Sequence, residues 1–387
     1  MKRAAIIVLD GLGIGPAPDT AAYGDAGSDT LGNVARAVGG LRLPNLERLG
    51  LGKCRDITGL APGVSATAAY GVAIPASAGK DSTTGHWEIC GVLLAKPFRT
   101  YPDGFPRELL DEFARRTGRG WLGNKAASGT RIIAELGAEH QRTGKWIVYT
   151  SADSVFQVAA HDATVPLAEL YRACAVAREL LVGEHAVSRV IARPFTGEPG
   201  AYVRTAARKD FSIPPVGETL LDRLAAAGVP RVGIGKVDDL FAGRNIASEH
   251  TPTNRDAYRL IERALDETDA GFIFVNVIEF DQSWGHRNDV AGFYEGLREL
   301  DAWLPRLQSR VRGDDLIILT ADHGNDPTTP STDHSREAVP ILVLGPRVRA
   351  VALGERRTFA DMGATVAEYF GVGALAAGRS FLSSVQA

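Results

Sequence analysis

The chain has 387 residues, an apolar share of 45%, a charged share of 23% and a formal net charge of -3. Its length predicts two domains or one large domain with an insertion, and its composition is typical of a soluble globular protein. The small net charge gives no general attraction to nucleic acid or to an anionic membrane. The three cysteines form no CxxC pair, so we expect no disulfide framework and a reducing, cytoplasmic location.

The beginning of the chain, "MKRAAIIVLDGLG", is interpreted as a buried first strand. Its apolar run covers only about six residues and an acid follows directly, which argues against a signal peptide. No stretch approaches the roughly 20 apolar residues that a membrane-spanning helix needs. We therefore expect no membrane partner.

Short apolar runs alternate with segments of helical spacing along most of the chain. The runs include "AAIIVLD", "GFIFVNVIEFD", "DLIILTADHG" and "VPILVLG", and the helical segments include "GTRIIAELGAEH" and "LYRACAVARELL". Runs that are apolar throughout suit parallel strands covered on both faces. The alternation predicts an α/β protein with a doubly wound, mostly parallel sheet, whose ligands gather beyond the carboxyl ends of the strands.

One section of the chain has strand and helix patterns of its own between "KPFRTYPDGFP" and "SIPPVGE". We interpret residues 98–216 as an inserted, smaller α/β cap domain that binds substrate. Residues 1–97 and 217–387 would then form one metal-binding catalytic core.

Acids and histidines that follow predicted strands, or lie in the loops beyond them, form the strongest chemical signal. They are Asp10, Asp281, His286, Asp322, His323 and His334. Carboxylate oxygens combined with imidazole nitrogens suit borderline divalent ions such as Mn²⁺ or Zn²⁺. Ligands that come from separate loops are typical of a two-metal site. The alternative for Asp10, a dinucleotide loop in "DGLGIG", is disfavoured because the GxGxxG spacing is absent.

The stretch "GKDSTTGHWE" has three adjacent hydroxyl residues, Ser82, Thr83 and Thr84. An alcohol is almost wholly protonated at pH 7, so it needs a base or a metal ion to become a nucleophile. Metal coordination lowers the pKa of bound water from 15.7 to about 7, and an alcohol responds in the same direction. A capped helix start would also explain the cluster. Beside the predicted metal ligands, we favour a nucleophile, and the spacing alone leaves open which hydroxyl it is.

With these residues assembled, the chain resembles the phosphopentomutases of the alkaline phosphatase superfamily. The likeness runs nearly end to end and includes "VLDGLGIGPAPD", "GKDSTTGHWEICG", "GNKAASGT", "RVIARPFTGEPG", "FDQSWGHRND" and "TADHGNDPTTPSTDHSREAVPIL". The resemblance implies an isomerase that interconverts ribose 1-phosphate and ribose 5-phosphate, and the 2-deoxyribose pair, in nucleoside salvage. Its partners would be small phosphorylated sugars. We expect a monomer.

The resemblance also implies cofactors and metal ligands. The family usually binds Mn²⁺ and is primed by a sugar bisphosphate, here ribose 1,5-bisphosphate or glucose 1,6-bisphosphate. One ion would be held by Asp10, Asp322 and His323, and the other by Asp281, His286 and His334. The nucleophile would bridge the two ions.

The remaining site residues are likewise assigned by the resemblance. Asp153 in "TSADS" would lie by the active site, and Arg189, Arg204 and Lys236 would grip the substrate, with Arg193 as a nearby alternative. The family's nucleophile is typically a threonine directly after the Lys-Asp pair. In this chain Ser82 has that position, so we predict a phosphorylated Ser82, with Thr83 as the alternative.

Three other functions fit part of the pattern. A metal-dependent phosphoglycerate mutase of the same superfamily also uses serine, but its substrate-binding segments differ from "RVIARPFTGEP". A phosphomonoesterase would share the core and release phosphate without a bisphosphate primer. A non-catalytic metal-binding protein would lack one or more ligands, and all the predicted ligands are present.

Overall fold

A computed structural model describes residues 2–151 and 154–386. In these ranges the strands are, in chain order, β1 (Arg3–Leu9), β2 (Ala69–Ala73), β3 (Trp121–Ala126), β4 (Trp146–Thr150), β5 (Val155–His161), β6 (Arg189–Thr196), β7 (Val203–Arg204), β8 (Lys209–Ser212), β9 (Arg231–Ile234), β10 (Ser248–Glu249), β11 (Gly271–Val277), β12 (Leu316–Thr320), β13 (Val339–Leu344) and β14 (Ala352–Arg356).

The same ranges contain α-helices that connect and cover the strands. They are α1 (Thr30–Ala37), α2 (Pro44–Leu49), α3 (Leu51–Cys54), α4 (Ser82–Ile89), α5 (Arg107–Thr117), α6 (Gly129–Thr143), α7 (Leu167–Leu180), α8 (Leu220–Ala226), α9 (Val237–Leu240), α10 (Asn254–Glu267), α11 (Val290–Gln308), α12 (Ala360–Phe370) and α13 (Leu382–Val385). Within the described chain, none of these helices has the length and apolar character needed to cross a bilayer.

The chain divides into two compact units, Met1–Pro97 with Pro215–Ala387 (unit 1) and Phe98–Pro214 (unit 2). In unit 1 the chain segments on either side of unit 2 lie together. Leu220 N donates to Cys90 O at 2.9 Å, and a Cβ at Gly217 would lie 3.5 Å from a methyl of Val92. Unit 2 is therefore inserted at one place in unit 1. Its role as a substrate-binding cap stays a prediction.

Unit 1 is built on an eight-stranded sheet with the order β10-β9-β11-β1-β12-β13-β2-β14. Strands β10, β9, β11, β1 and β12 run parallel to one another. Only β13 runs antiparallel to the strands on both its sides, β12 and β2. Strands β1, β11 and β12 are buried along their whole length, because helices cover both faces of such a sheet. The predicted α/β class with a mostly parallel sheet is confirmed.

The register of the central strands brings their carboxyl ends to one level of the sheet. Leu9 at the end of β1 pairs with Val277 at the end of β11, and Val8 pairs with Thr320 at the end of β12. Residues that follow these three strands therefore meet at one edge.

Unit 2 has a sheet of its own, in the order β3-β4-β5-β6-β7, with β8 paired to β6. Alternate residues of β4 and β5 point to opposite faces, and each face has an apolar core. One core contains Phe113, Trp146, Val148, Phe156 and Val190. The other core lies against α6 and contains Ile132, Ile133, Ile147, Tyr149 and Phe195.

Candidate metal centre and nucleophile helix

Three buried aspartates lie at the carboxyl edge of the central strands in unit 1. Asp10 directly follows β1, Asp322 follows β12, and Asp281 lies in the short π-helical turn after β11. Their exposed fractions are 2%, 2% and 5%, respectively. Burying an isolated carboxylate is costly unless a cation or hydrogen-bond donors compensate it. Three such groups at one place therefore indicate a site for positive charge.

Asp281 gathers two histidines into a first cluster. His286 Nε2 lies 3.2 Å from Asp281 Oδ2, and His334 Nε2 lies 3.2 Å from Asp281 Oδ1. The side-chain donor atoms of these three residues lie within 4.8 Å of one another, close enough to hold one metal ion. This trio is the second ligand set that the family resemblance implies.

His323 lies at the centre of a second cluster. Its Nε2 atom is 3.2 Å from Asp10 Oδ1 and 3.5 Å from Asp322 Oδ2. The tight donor group here consists of Asp10, Asp281 and His323, so Asp281 lies next to both clusters. Asp322, the third predicted member, accepts a hydrogen bond from Gly11 N at 3.2 Å through Oδ1.

The hydroxyl cluster forms the start of α4. Asp81 is the N-cap and accepts hydrogen bonds from Thr84 N at 3.1 Å and Thr84 Oγ1 at 2.6 Å, as expected for a capped helix. Ser82 is the first helical residue, and its Oγ lies 3.3 Å from Asp10 Oδ1 and 3.0 Å from His323 Nε2. Thr83 is buried within the helix. Among the described residues, Ser82 is the one of the three hydroxyls that bonds to predicted metal ligands.

The charges of the two clusters shift their pKa values strongly. Burial acts to raise the pKa of Asp281, but His334 and His286 outweigh burial and hold that pKa well below its usual range. Burial acts to lower the pKa of His286, but Asp281 raises it to about 9. Burial, reinforced by Asp322 and Asp281, raises the pKa of Asp10. Among the described residues, the positive charge near these acids comes from imidazole groups.

The donor set fits divalent metal ions. The oxygens of Asp10, Asp281 and Asp322 together with imidazole nitrogens are ligands that Mn²⁺ and Zn²⁺ accept. Within the described chain, the buried Asp322 Oδ2 has no well-aligned hydrogen bond, although His86 Nδ1 lies 3.1 Å away. A buried carboxylate oxygen without such a partner is free to coordinate a cation.

Two asparagines that the sequence analysis missed hold the aspartates in place. Asn276 Nδ2 donates to Asp10 Oδ2 at 3.1 Å, and Asn325 Nδ2 donates to Asp281 Oδ1 at 2.7 Å. Groups of this kind orient metal ligands. The polar Asn276 inside the apolar run "GFIFVNV" was the available sequence signal.

Arg336 clamps the loop that leads into α4. Its Nη1 donates to Gly79 O at 2.6 Å and also to Ser77 O, and its Nη2 donates to Pro75 O at 2.8 Å. The side chain is buried. Three carbonyls bound to one planar guanidinium fix the path of the chain just before Ser82.

Lys80 links the loop that precedes Ser82 to the loop that contains His334. Its Nζ lies 2.8 Å from Asp25 Oδ1 and 3.3 Å from Asp333 Oδ2. Asp333 is the neighbour of His334. Each residue of the Lys-Asp pair before Ser82 therefore has a structural role. Asp81 caps α4, and Lys80 joins the two loops.

The other predicted site residues are divided between the units. Arg189 and Arg193 lie in β6 and Arg204 ends β7, all in unit 2. Lys236 lies in unit 1, two residues after the end of β9, and is the N-cap of α9. Asp153 is outside the described residues. The roles of these five residues stay predictions.

A mostly parallel α/β sheet with aspartate and histidine donors at its carboxyl edge defines a metalloenzyme of the alkaline phosphatase type. In agreement, the model of the Metalloenzyme superfamily matches residues 2–374. The enzyme therefore uses divalent metal.

Named relatives identify the family within this superfamily. A phosphopentomutase of Carboxydothermus hydrogenoformans is 55% identical over 96% of both chains. The phosphopentomutase of Caldanaerobacter subterraneus subsp. tengcongensis is 52% identical over 99% of this chain and 98% of its own. That of Anaeromyxobacter sp. (strain K) is 57% identical over 99% of each. The chain belongs to the phosphopentomutase family and is an isomerase of the intramolecular phosphotransferase class.

Proposed function

We propose that the chain interconverts ribose 1-phosphate and ribose 5-phosphate, and the 2-deoxyribose pair, through a phosphorylated Ser82 and a 1,5-bisphosphate. The observation that carries this proposal is the position of Ser82 Oγ, 3.0 Å from His323 Nε2 and 3.3 Å from Asp10 Oδ1. The names of the relatives support pentose phosphates as substrates. The cytoplasm is the proposed location.

In our proposal two divalent ions complete this site, and the mixed oxygen and nitrogen donors favour Mn²⁺. One would be held by Asp10, Asp322 and His323, and the other by Asp281, His286 and His334, with Asp281 close enough to serve the first as well. When bound, such ions lower the pKa of a coordinated hydroxyl and offset the charge of a transferring phosphoryl group.

Ser82 carries the phosphoryl group between sugars. In the first transfer, the bond from Ser82 Oγ to phosphorus breaks, a bond from the free sugar hydroxyl to phosphorus forms, and the hydroxyl proton is released. The 1,5-bisphosphate then reorients in the site, so that its other phosphate faces Ser82. In the second transfer, Ser82 Oγ forms a bond to the other phosphorus, the bond between that phosphorus and the sugar oxygen breaks, and the sugar oxygen takes up a proton. Ser82 is the first residue of α4, so the positive end of the helix favours the phosphorylated state.

The basic residues Arg189, Arg193, Arg204 and Lys236 have the charge needed to bind the phosphate that is not being transferred. Asp153 is proposed to lie beside the reacting groups. A mutase must also exclude water, because water would hydrolyse the phosphoserine. Closure of a cap domain over the sugar is the proposed means. A sugar bisphosphate, ribose 1,5-bisphosphate or glucose 1,6-bisphosphate, is needed to phosphorylate Ser82 before the first turnover.

The test is a coupled assay of ribose 1-phosphate conversion with Mn²⁺, with and without a bisphosphate primer, in which released phosphate is measured in the same tube. We expect isomerisation that the primer stimulates and that far exceeds phosphate release. Release that outpaces isomerisation would instead show a phosphomonoesterase. Conversion of 3-phosphoglycerate in place of the pentose phosphate would show a phosphoglycerate mutase.

A further inference from the structure

One buried histidine beside the two clusters, His86, belongs to neither predicted ligand set. It lies on α4, four residues after Ser82, and is 0% exposed. Its Nδ1 atom lies 2.9 Å from Ser82 O and 3.1 Å from Asp322 Oδ2. Both of these oxygens accept hydrogen bonds, so Nδ1 carries the ring proton and donates. A single N–H group thus lies between the main chain of Ser82 and the carboxylate of Asp322.

The other ring nitrogen of His86 faces an amide that also orients Asp10. Nε2 lies 3.4 Å from Asn276 Nδ2, which donates to Asp10 Oδ2 at 3.1 Å. An amide nitrogen has two protons and can serve both acceptors. Phe274 and Asn276 are two residues apart in β11, so their side chains point to the same face. The ring of Phe274 lies 5.6 Å from that of His86. Strand β11 and helix α4 therefore fix the orientation of the imidazole together.

The two oxygens of Asp322 face different N–H groups. Oδ1 accepts from Gly11 N at 3.2 Å, whereas Oδ2 faces His86 Nδ1 without a well-aligned hydrogen bond within the described chain. The well-aligned bond of Nδ1 is the one to Ser82 O. The His86 N–H group therefore attracts Asp322 Oδ2 by its partial charge and leaves the lone pairs of that oxygen available to a cation.

We propose that His86 is a positioning residue, which holds the carboxylate of Asp322 and the main chain of Ser82 in a fixed relation and steadies Asp10 through Asn276. An imidazole that donates at Nδ1 and accepts at Nε2 is uncharged, so it orients the acids without repelling a cation. That Asp10 and Asp322 hold a divalent ion rests on the proposed function. The role of His86 rests on the contacts described above.

Two substitutions of similar size separate the N–H group of His86 from its volume. In His86→Asn the side-chain amide can replace the Nδ1 donor, whereas His86→Leu has no donor. Mn²⁺ is titrated into the full chain, and electron paramagnetic resonance of the free ion gives the number of sites and their affinities. We expect two ions in the wild type. His86→Leu should weaken the affinity for one ion about 10- to 100-fold and leave the other unchanged, and His86→Asn should retain both.

A variant of the other cluster shows which ion is affected. His334 belongs to the donor group of Asp281 and His286, so His334→Ala should weaken the second ion. The double variant with His86→Leu should then weaken both ions. Unchanged affinities in His86→Leu, equal losses in His86→Leu and His86→Asn, or loss of the same ion in His86→Leu and His334→Ala would each overturn the proposal.

Melting temperatures measured with a chelator separate positioning from a general loss of structure. His140→Leu is the control, because His140 is also a buried histidine but lies in unit 2. It should lower the melting temperature and leave both Mn²⁺ affinities unchanged. His86→Gln is a second variant without a donor at Nδ1 and should behave as His86→Leu does. Losses of affinity that follow the melting temperature in all variants would overturn the proposal, as would a wild type that binds fewer than two ions. The expected Mn²⁺ pattern in a chain without mutase activity would support the role of His86 and reject the proposed function.

Discussion

Ser82, the proposed nucleophile, differs from its two neighbours in the sequence in what its hydroxyl contacts. Its hydroxyl contacts Asp10 and His323, whereas the Thr84 hydroxyl is used by Asp81 in the helix cap. Three adjacent alcohols look alike in a sequence. Their environments differ because α4 begins at Ser82, and this start directs the Ser82 hydroxyl toward Asp10 and His323.

We predict that Ser82→Ala abolishes both the phosphoenzyme and turnover, because no other hydroxyl of the cluster reaches the ligands. Ser82→Thr should retain activity, since it keeps the alcohol that is typical of the family. The measurements are intact-protein mass after incubation with the bisphosphate primer, and the coupled assay. Thr83→Ala is the control and should be phosphorylated normally. An active Ser82→Ala with an inactive Thr83→Ala would move the assignment one residue along.

Glu337 is a buried carboxyl group that joins three loops of unit 1. Its Oε2 accepts from Gly15 N at 3.2 Å and Thr30 N at 2.9 Å. Its Oε1 accepts from Thr30 Oγ1 and Ser335 Oγ, each at 2.7 Å. Burial nevertheless raises the pKa of Glu337 from 4.5 to about 7. The folded protein therefore holds the proton of Glu337 more tightly than the unfolded chain does.

The sign of the resulting pH dependence follows from linkage. The stabilisation from this group is fully present below about pH 4.5 and is lost as the pH rises through about 7. Glu337→Gln should remove this loss of stability at higher pH, because the hydroxyls of Thr30 and Ser335 can rotate to accept hydrogen bonds from the new amide group. Relative to the wild type, the variant should gain about 3 kcal/mol of unfolding free energy between pH 4.5 and pH 8.

Denaturant unfolding at several pH values measures this gain. Glu295→Gln is the matched control, since Glu295 is exposed, with a side-chain exposure of 59%, and pairs with Arg298 on the same helix. Parallel curves for Glu337→Gln and the wild type would contradict the prediction.

At the scale of elements, α4 packs directly against the end of β12. A Cβ at Gly85 would lie 2.2 Å from Asp322 O and 2.7 Å from Asp322 Cβ. The absence of a side chain at Gly85 therefore allows α4 to approach the end of β12, the strand that Asp322 and His323 follow.

Gly85→Ala should accordingly move α4 away from β12 and reduce kcat at least 100-fold, since displacements of about 1 Å cost that much in positioned catalysis. The prediction is checked by measuring both kcat and the melting temperature of the variant. A near-normal kcat would contradict the prediction. Gly63→Ala is the control, because no atom lies within 4 Å of its added Cβ.

The elements show what the sequence could predict. Strands β1, β11 and β12 were evident, because central parallel strands are apolar throughout. Strand β2, "AYGVA" at Ala69–Ala73, gave no such signal, because it is short and contains a glycine. The acids and histidines after the strands were also evident, because strand ends mark the site. Contacts such as those of Arg336 with Pro75 and Gly79 join segments that are distant in the sequence. No local sequence pattern indicates them, so they could not be predicted.

At the scale of the whole molecule, the metal ions should stabilise the folded chain. Asp10, Asp281 and Asp322 repel one another when buried together, and bound cations offset that repulsion. A ligand that binds only the folded state adds about 2.7 kcal/mol at a concentration of 100 Kd. Chelation should therefore lower the melting temperature, and Mn²⁺ should restore it. Asp281→Ala should lose most of this dependence, because Asp281 lies in both clusters. An equal response in that variant would contradict the assignment.

Unit 2 should fold without unit 1. Phe98–Pro214 is one continuous segment, and its cores around Trp146 and Tyr149 consist of its own residues. We predict that residues 98–214, expressed alone, unfold cooperatively in denaturant with a helix and strand content that circular dichroism detects. A broad, non-cooperative transition would contradict the prediction.

The insertion of unit 2 has a consequence during translation. Strand β1 leaves the ribosome early, but its neighbours β11 and β12 are made only after the whole of unit 2. The synthesis of unit 2 is therefore complete before His323 and His334, which lie beside Asp10 and Ser82 in the folded chain, have been made. Sheets that depend on such distant pairings form slowly. A chain that stalls before β12 therefore carries a finished insert but no phosphoryl-transfer site, so premature termination yields an inert product and not an unregulated hydrolase.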